Sequence, residues 1–333
     1  MAMSVEIAMK VWKWHFELKR GRAMNSDRHS WKRKELKMKR QKVVRILSFA
    51  FAFACVAKAG LAQTQPANAT RPAADQSPSA AALAQEATNP FATSWLMQIQ
   101  QNNNWVDMPL GHGSRVQSNL LFQPLMSVRL TENQALVIRP VVTLVNSAAH
   151  LDQNGQRERT TGFGDTVLAF AVPRPLLGGR LMLGAGPTFI FPTASKRELS
   201  QDTWQFGPDV GAVLQLRRDI AYAFVQQWFK VAGDGRKTNQ MSGVFNYTHV
   251  FEKGWTLGTQ SNLSVDWEAR EGERVKFPIG PQVGKMVKWG GAPTLVQLQF
   301  QYYAVSPSVG GPGWNVQLQV TPTLKAPIRK PLL

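Results

Sequence analysis

From about Trp95 to Leu324, apolar and polar residues alternate in twelve short segments, and the gaps between segments switch between long and short. The last segment shows the pattern plainly. Val316, Leu318, Val320, Pro322 and Leu324 fall on one phase, and Asn315, Gln317, Gln319, Thr321 and Thr323 on the other. A period of two belongs to strands with two unlike faces. A soluble sheet buries its apolar face against another layer. A membrane barrel turns that face to lipid, with tight turns on one side and longer loops on the other. The pattern therefore predicts an all-β chain, a transmembrane antiparallel up-and-down β-barrel of about 12 strands.

The expected strands are Ser94 to Gln101, Asn119 to Leu130, Ala135 to Asn146, Gly164 to Val172, Arg180 to Phe191 and Gln205 to Leu216. The second half follows as Ile220 to Val231, Met241 to Phe251, Trp255 to Trp267, Val275 to Val287, Thr294 to Val305 and Trp314 to Leu324. Gly and Asn stand where turns need positive φ. Short gaps after each even-numbered strand place both termini in the periplasm. Strands seven and eight alternate poorly. Pro124, Pro140, Pro187, Pro208, Pro278 and Pro281 fall inside expected strands, where each removes a ladder donor and calls for a bulge or a strand end.

Tryptophan offers a separate check. Beyond the first 62 residues, Trp95, Trp105, Trp204, Trp228, Trp255, Trp267, Trp289 and Trp314 all fall at or near expected strand ends. An amphipathic ring is favoured at the headgroup level, so these eight are expected as membrane-interface aromatics.

Charge separates the N-terminus from the rest. Of the formal +18, residues 1–62 carry +11. Lys39, Arg40, Lys42 and Arg45 precede the apolar run Ile46 to Ala57, and Gly60-Leu61-Ala62 follows it. A positive region, a short apolar run and small residues describe a secretory signal peptide, of ordinary proportions when counted from a start at Met38, with cleavage after Ala62, or after Ala59 as second choice. Residues 1–37 then form an extended basic region ahead of that start. Residues 63–91, rich in Ala, Gln, Pro, Thr and Ser, read as a disordered linker, with a short helix through Ser79 to Glu86 allowed by its alanines. Residues 92–333 form the barrel. The sole cysteine, Cys55, lies in the signal, where Ala52 and Phe53 do not fit a lipidation site. The mature chain thus offers no disulfide and no cysteine chemistry.

Candidate catalytic groups are few. His112 and His150 fall in expected loops, and His249 near a strand end beside Tyr247 and Thr248. Neighbouring residues on a strand point to opposite faces, so Thr248 and His249 cannot act together locally. No histidines have metal-ligand spacing. The expected lists of catalytic residues, metals and cofactors are empty, and the chain is expected not to be an enzyme.

The polar phase is more informative. Arg129, Arg139, Asp165, Asp209, Gln215, Gln260, Asn262, Asp266, Gln297, Gln299, Gln301, Gln317 and Gln319 all fall on it and are expected to line the lumen. They would either fill a narrow barrel with hydrogen bonds or form the wall of a passage. Twelve strands make a wider barrel than the tightly filled eight-stranded kind, which favours the passage.

Gly162-Phe163-Gly164-Asp165, Gly186-Pro187-Thr188-Phe189-Ile190-Phe191-Pro192-Thr193, Phe206-Gly207-Pro208, Gln227-Trp228, Gly254-Trp255, Asp266-Trp267, Pro278-Ile279-Gly280, Gly284-Lys285 and Tyr302-Tyr303 occur in this order. As a set they resemble the bacterial outer-membrane barrel family named for the MetA-pathway of phenol degradation, over roughly residues 92–324. The resemblance implies a transporter-like barrel taking up hydrophobic or aromatic compounds, and it supplies no ligand residues. One departure stands out. Such barrels commonly finish on an aromatic residue, whereas Lys325 to Leu333 follow here.

The expected function is passive passage of small, hydrophobic or aromatic solutes through a monomeric outer-membrane barrel. The alternative is a non-conducting structural or binding barrel. Expected partners are outer-membrane lipid, a small-molecule solute and the barrel-assembly machinery, with no nucleic acid.

Overall fold

The computed structural model describes residues 78–108, 113–151, 155–308, 310–328 and 331–332. The signal segment, most of the linker and His112 lie outside them. The described chain opens with helix α1 (Ala80–Thr88). Fourteen strands follow: β1 (Trp95–Asp107), β2 (Ser114–Thr131), β3 (Gln134–Leu151), β4 (Arg157–Gly162), β5 (Thr166–Leu176), β6 (Leu181–Phe191) and β7 (Trp204–Gln215). The rest are β8 (Asp219–Ala232), β9 (Asn239–Val250), β10 (Trp255–Asp266), β11 (Val275–Ile279), β12 (Pro281–Trp289), β13 (Ala292–Val305) and β14 (Pro312–Leu324).

β4 and β5 both pair with β3, and β11 and β12 both pair with β10 and β13 or lie along them, so each couple is one interrupted barrel strand. β1 joins β14 to β2, and β9 pairs β10. The result is a closed antiparallel barrel of 12 strands. Closure leaves no edge around the ring, where hydrocarbon requires the backbone to be satisfied without water; β4, off the ring's path, pairs only with β3. No described helix is long and apolar enough to cross a membrane. The chain crosses with strands.

Every expected strand is present, but β1, β2 and β3 run on into residues expected as loops, His150 among them; β4 lies in the loop expected before strand four and leaves a first break ahead of β5, and expected strand ten is broken in two. The second break falls at Gly280, where a Cβ would stand 1.8 Å from the Phe300 carbonyl oxygen. The prolines mark irregular stretches of the ladder. Pro187 stands opposite Pro208, and the β2–β3 pairing skips Pro124 and Pro140. Beside the first two, Gly186 and Gly207 let the neighbouring backbone approach. A Cβ would meet Phe170 O at 2.0 Å and Gln227 O at 1.8 Å.

The strands are tilted. One row of opposed residues runs Val142, Phe122, Ile99, Val320, Val296, Lys285, Trp255. It passes from mid-strand on β1 to the periplasmic end of β10, the sloping register a closed barrel needs. The outer surface carries exposed Ile99, Val210, Leu257, Val283, Leu298, Phe300 and Leu318. Exposed Trp105, Trp204 and Trp314 stand at one rim, and Trp255 and Trp289 at the other. An apolar belt bounded by aromatic girdles is the surface of an outer-membrane barrel, and that is where this chain resides.

The linker departs from expectation. Residues 78–91 are packed against the barrel wall, not free. Ser79 caps α1, its Oγ accepting from Ala82 N at 3.2 Å. Ala84 is 0% exposed and packs with Ala87, Val250, Met286 and Leu295. Gln85 Nε2 donates to the carbonyl of Arg217 at 2.9 Å, in the β7–β8 turn. Asn89 Nδ2 donates to Gln215 Oε1 at 3.2 Å. Phe91 then enters a buried cluster of Leu96, Leu125, Val137, Ala171, Val213 and Ile220. All six are on inward phases of their strands. The N-terminal segment therefore occupies the periplasmic end of the lumen.

Candidate functional site

Inward side chains change character along the barrel. At the periplasmic end of β1–β3 and β5–β8 they are apolar, because they cover Phe91, while buried Thr248, Thr256, Thr294 and Thr321 stand on the strands nearer α1. This accounts for the poor alternation of β8. Its inward phase runs Ile220, Tyr222, Phe224, Gln226, Trp228, with Phe91 against Phe224 at 5.3 Å between ring centroids. An apolar inner face opposite an apolar outer face erases the period-two signal.

Above this floor lies a cavity of about 250 Å³. Its polar wall is a chain of hydrogen bonds across neighbouring strands. Arg139 on β3 donates to Gln123 Oε1 at 2.6 Å, and Gln123 Nε2 to Gln100 Oε1 at 3.0 Å. Gln100 Nε2 reaches Gln317 Oε1 at 3.3 Å. Farther round, Gln299 and Gln301 donate to the Gln260 carbonyl at 2.6 and 2.9 Å, and Tyr222 OH to Gln260 Oε1 at 3.0 Å. On the β7–β8 side, Gln226 Nε2 donates to Asp209 Oδ2 at 3.1 Å. Asp209 is 6% exposed and its Oδ1 has no hydrogen-bond partner. Leu121, Val141, Val167, Phe224 and Val244 supply apolar lining among these polar groups.

Of the residues expected along the lumen, Arg139, Asp209, Gln260, Asn262 and Gln319 line this cavity. Gln297, Gln299, Gln301 and Gln317 are buried within the amide wall on β13 and β14, where Asn315 also donates to Gln301 Oε1 at 2.7 Å. Gln215 meets the N-terminal segment at the periplasmic end. Three stand apart. Arg129 is exposed near the periplasmic end of β2. Asp266 pairs with Arg236 at 2.5 Å at the extracellular end of β10. Asp165 lies in the gap between β4 and β5, where its carboxylate accepts from Ala194 N, Ser200 Oγ and Gln201 N at 3.2, 2.9 and 2.8 Å and ties down the β6–β7 loop.

Alternation within strand one was too polar on both phases to separate its faces, so Gln98, Gln100 and Asn102 were missed; Gln123, Tyr222 and Gln226 were missed with them. The register across β1, β2 and β14 supplies what periodicity lacked.

Among the tryptophans, Trp228 corrects the expectation. It is 5% exposed and faces inward, donating Nε1 to Thr188 Oγ1 at 3.1 Å. A residue one place along would face lipid; parity decided otherwise. Trp95 is half-buried and donates to the Ser127 carbonyl at 3.0 Å. Trp267 is exposed, with Nε1 to Gln227 Oε1 at 3.2 Å.

His249 has a carboxylate partner the local sequence did not show. Its Nδ1 lies 2.8 Å from Asp219 Oδ1, which also accepts from Tyr247 OH at 2.8 Å. The group lies on the outer face near the periplasmic rim, while Thr248 is buried on the inner phase. His150 stands 3.4 Å from Glu158, its opposed residue on β4. Among the described residues, no group of three or more His, Cys, Asp or Glu side chains is arranged to hold a metal.

A family model described as "Putative MetA-pathway of phenol degradation" matches residues 101–304. The chain belongs to that family. Among solved structures, this family member is similar to an outer membrane channel from Pseudomonas putida F1, at 13% identity and TM-score 0.54, with 70% of this chain and 96% of that one covered. A FadL homologue from Pseudomonas aeruginosa aligns at 10% identity and TM-score 0.37, over 73% of this chain and 92% of the other. These likenesses concern the fold. No curated protein matches the sequence.

Proposed function

We propose that this outer-membrane transport barrel passes small, partly apolar solutes, and that the N-terminal segment controls its periplasmic exit. The observation carrying this reading is the mixed lining of the cavity: amides, Arg139 and Asp209 alternate with Leu121, Val141, Val167 and Phe224, several of them on the same strands, beside Pro90 and Phe91. Polar groups in the lining suit partly polar solutes, and the apolar surface between them favours a hydrocarbon body. The chain's family and its likeness to the P. putida outer membrane channel support transport in general. The hydrophobic or aromatic character of the solute is drawn from the cavity and from the family's description. The reading assigns the barrel no catalytic step.

Exit requires the Phe91 cluster to open, because α1 and Phe91 fill the end of the lumen nearest the periplasm. The purified barrel in liposomes should admit small uncharged solutes, such as benzyl alcohol glycosides too polar to cross lipid alone, faster than protein-free liposomes. Absence of such flux through a folded barrel would refute passage and favour the closed binding barrel.

A further inference from the structure

Near the periplasmic rim between β8 and β12, the outer face carries charge where hydrocarbon would not accept it. Asp219, His249, Leu257 and Val283 form one row of opposed residues on the outer phase, and Trp255 opposes Lys285 a step closer to the rim. Exposed Val283 and Val287 flank Lys285 on its phase, while Gly284 and Met286 beside it are buried. The Lys285 side chain therefore starts from a lipid-facing position. Its ammonium lies over the Trp255 ring, 4.9 Å from the centroid, and donates to the Lys253 carbonyl at 2.7 Å. An ammonium has further N–H groups to give. The carboxylates of this arc are engaged elsewhere. Glu252 pairs with Arg218, and Asp219 accepts from Tyr247 OH at 2.8 Å, with His249 Nδ1 also at 2.8 Å. Among the described residues, no carboxylate stands within 4.0 Å of Arg217, Lys253, Lys285 or Lys288.

We propose that this arc binds an anionic phospholipid of the periplasmic leaflet. The phosphate accepts from Lys285 with Lys253 beside it, and the acyl chains lie along Leu257 and Val283. Charge complementarity selects that occupant, because cations without a carboxylate partner gather here while both carboxylates are already paired. Depth agrees with it. Indole rings are favoured at the headgroup level, so Trp255 holds the Lys285 ammonium at the height of a lipid phosphate. Toward the midplane the same face continues as exposed Leu257 and Val283, which suit acyl chains. A zwitterionic lipid brings a cation of its own, which meets Arg217, Lys253 and Lys288 with like charge. A basic residue next to anionic lipid favours the contact by about fivefold. The arc lies outside the barrel, so the site is independent of what crosses the lumen.

The test uses the full barrel in phosphatidylcholine vesicles that carry either brominated phosphatidylglycerol or, at equal mole fraction, brominated phosphatidylcholine. Bromine quenches nearby tryptophan, and the Trp255 signal is the difference between each barrel and its Trp255→Phe counterpart. Brominated phosphatidylglycerol should quench Trp255 at about fivefold lower mole fraction than brominated phosphatidylcholine. Lys253→Gln with Lys285→Gln should bring the two lipids level. Arg174→Gln with Arg180→Gln removes the same charge from the β5–β6 part of the rim and should leave the preference in place. Folding of each variant is read from heat-modifiable migration; should the lysine variant fail to fold, the preference in the unaltered barrel and in the arginine variant decides. Equal quenching by the two lipids on the unaltered barrel overturns the proposal. Equal loss of preference in both variants also overturns it, because the charge of the whole rim is then responsible and not a site. Quenching by neither lipid means that protein, such as a second copy of this chain, covers the arc, and overturns it too.

Discussion

Replacing Phe91 by Ala removes the side chain that seats the N-terminal segment in the lumen. Phe91 is buried among Leu96, Leu125, Val137, Ala171, Val213 and Ile220, with an edge-on contact to Phe224. Truncating a buried phenylalanine costs roughly 3–5 kcal/mol. The other holds are weaker: the hydrogen bonds from Gln85 and Asn89 to the β7–β8 region contribute about 0.5–1.5 kcal/mol each. Phe91 therefore dominates the local closing energy, and its loss should raise the population of the undocked segment by roughly 10²- to 10⁴-fold. The ring of strand pairings does not run through Phe91, so the barrel itself should remain folded. Thiol accessibility gives the readout. Ala84 is 0% exposed, and the sole native cysteine, Cys55, lies outside the described residues and is replaced by Ala for this assay. A barrel carrying Ala84→Cys should react slowly with a periplasmic-side thiol reagent, and the same barrel with Phe91→Ala should react far faster and conduct more in planar bilayers. Equal labelling rates and equal conductance would show that Phe91 does not hold the segment closed. Gly184→Ala should act in the same direction with Phe91 itself unaltered, since the new Cβ would stand 2.4 Å from the Phe91 ring and displace it.

Other outcomes follow from the assigned faces. Leu318 is 44% exposed on the outer face, so Leu318→Arg should cost roughly 2–4 kcal/mol at the midplane in vesicle folding titrations. The inward control is Asn262→Arg in the cavity, not Gln317→Arg, because Gln317 is 1% exposed inside the amide wall and has no room for a longer side chain; a larger penalty at Asn262 than at Leu318 would contradict the assigned phases. Gly207→Ala should lower folding yield sharply, since its Cβ would stand 1.8 Å from a backbone oxygen that cannot rotate away; normal folding yield would count against the close β7–β8 approach. His249→Ala should leave solute flux unchanged because the ring lies on the outer face with Asp219, and a change in flux would place it on the transport route.

Fold class, strand positions and much of the polar lining were legible in the sequence because each depends on a local period. Lipid on one side and polar groups on the other impose alternation strand by strand, as Asn315 to Leu324 display. Three features were not legible, each for a physical reason. Alternation cannot reveal a second inward layer, so the apolar inner face around Val213, Ile220 and Phe224 read as noise until Phe91 was seen against it. Composition marked residues 63–91 as unable to fold alone, which is compatible with burial: Ala84 and Ala87 are small enough to pack where the barrel supplies the apolar surface. Finally, a strand's own pattern says nothing of what faces it across the lumen. Trp228 turned inward by parity with Gln226, and Arg139 and Asp209 line one cavity only because β3 and β7 close around the same space. A local period is enough to specify a barrel with a polar interior. Which polar groups satisfy one another, and which of them line the cavity, depends on the register that closes the ring.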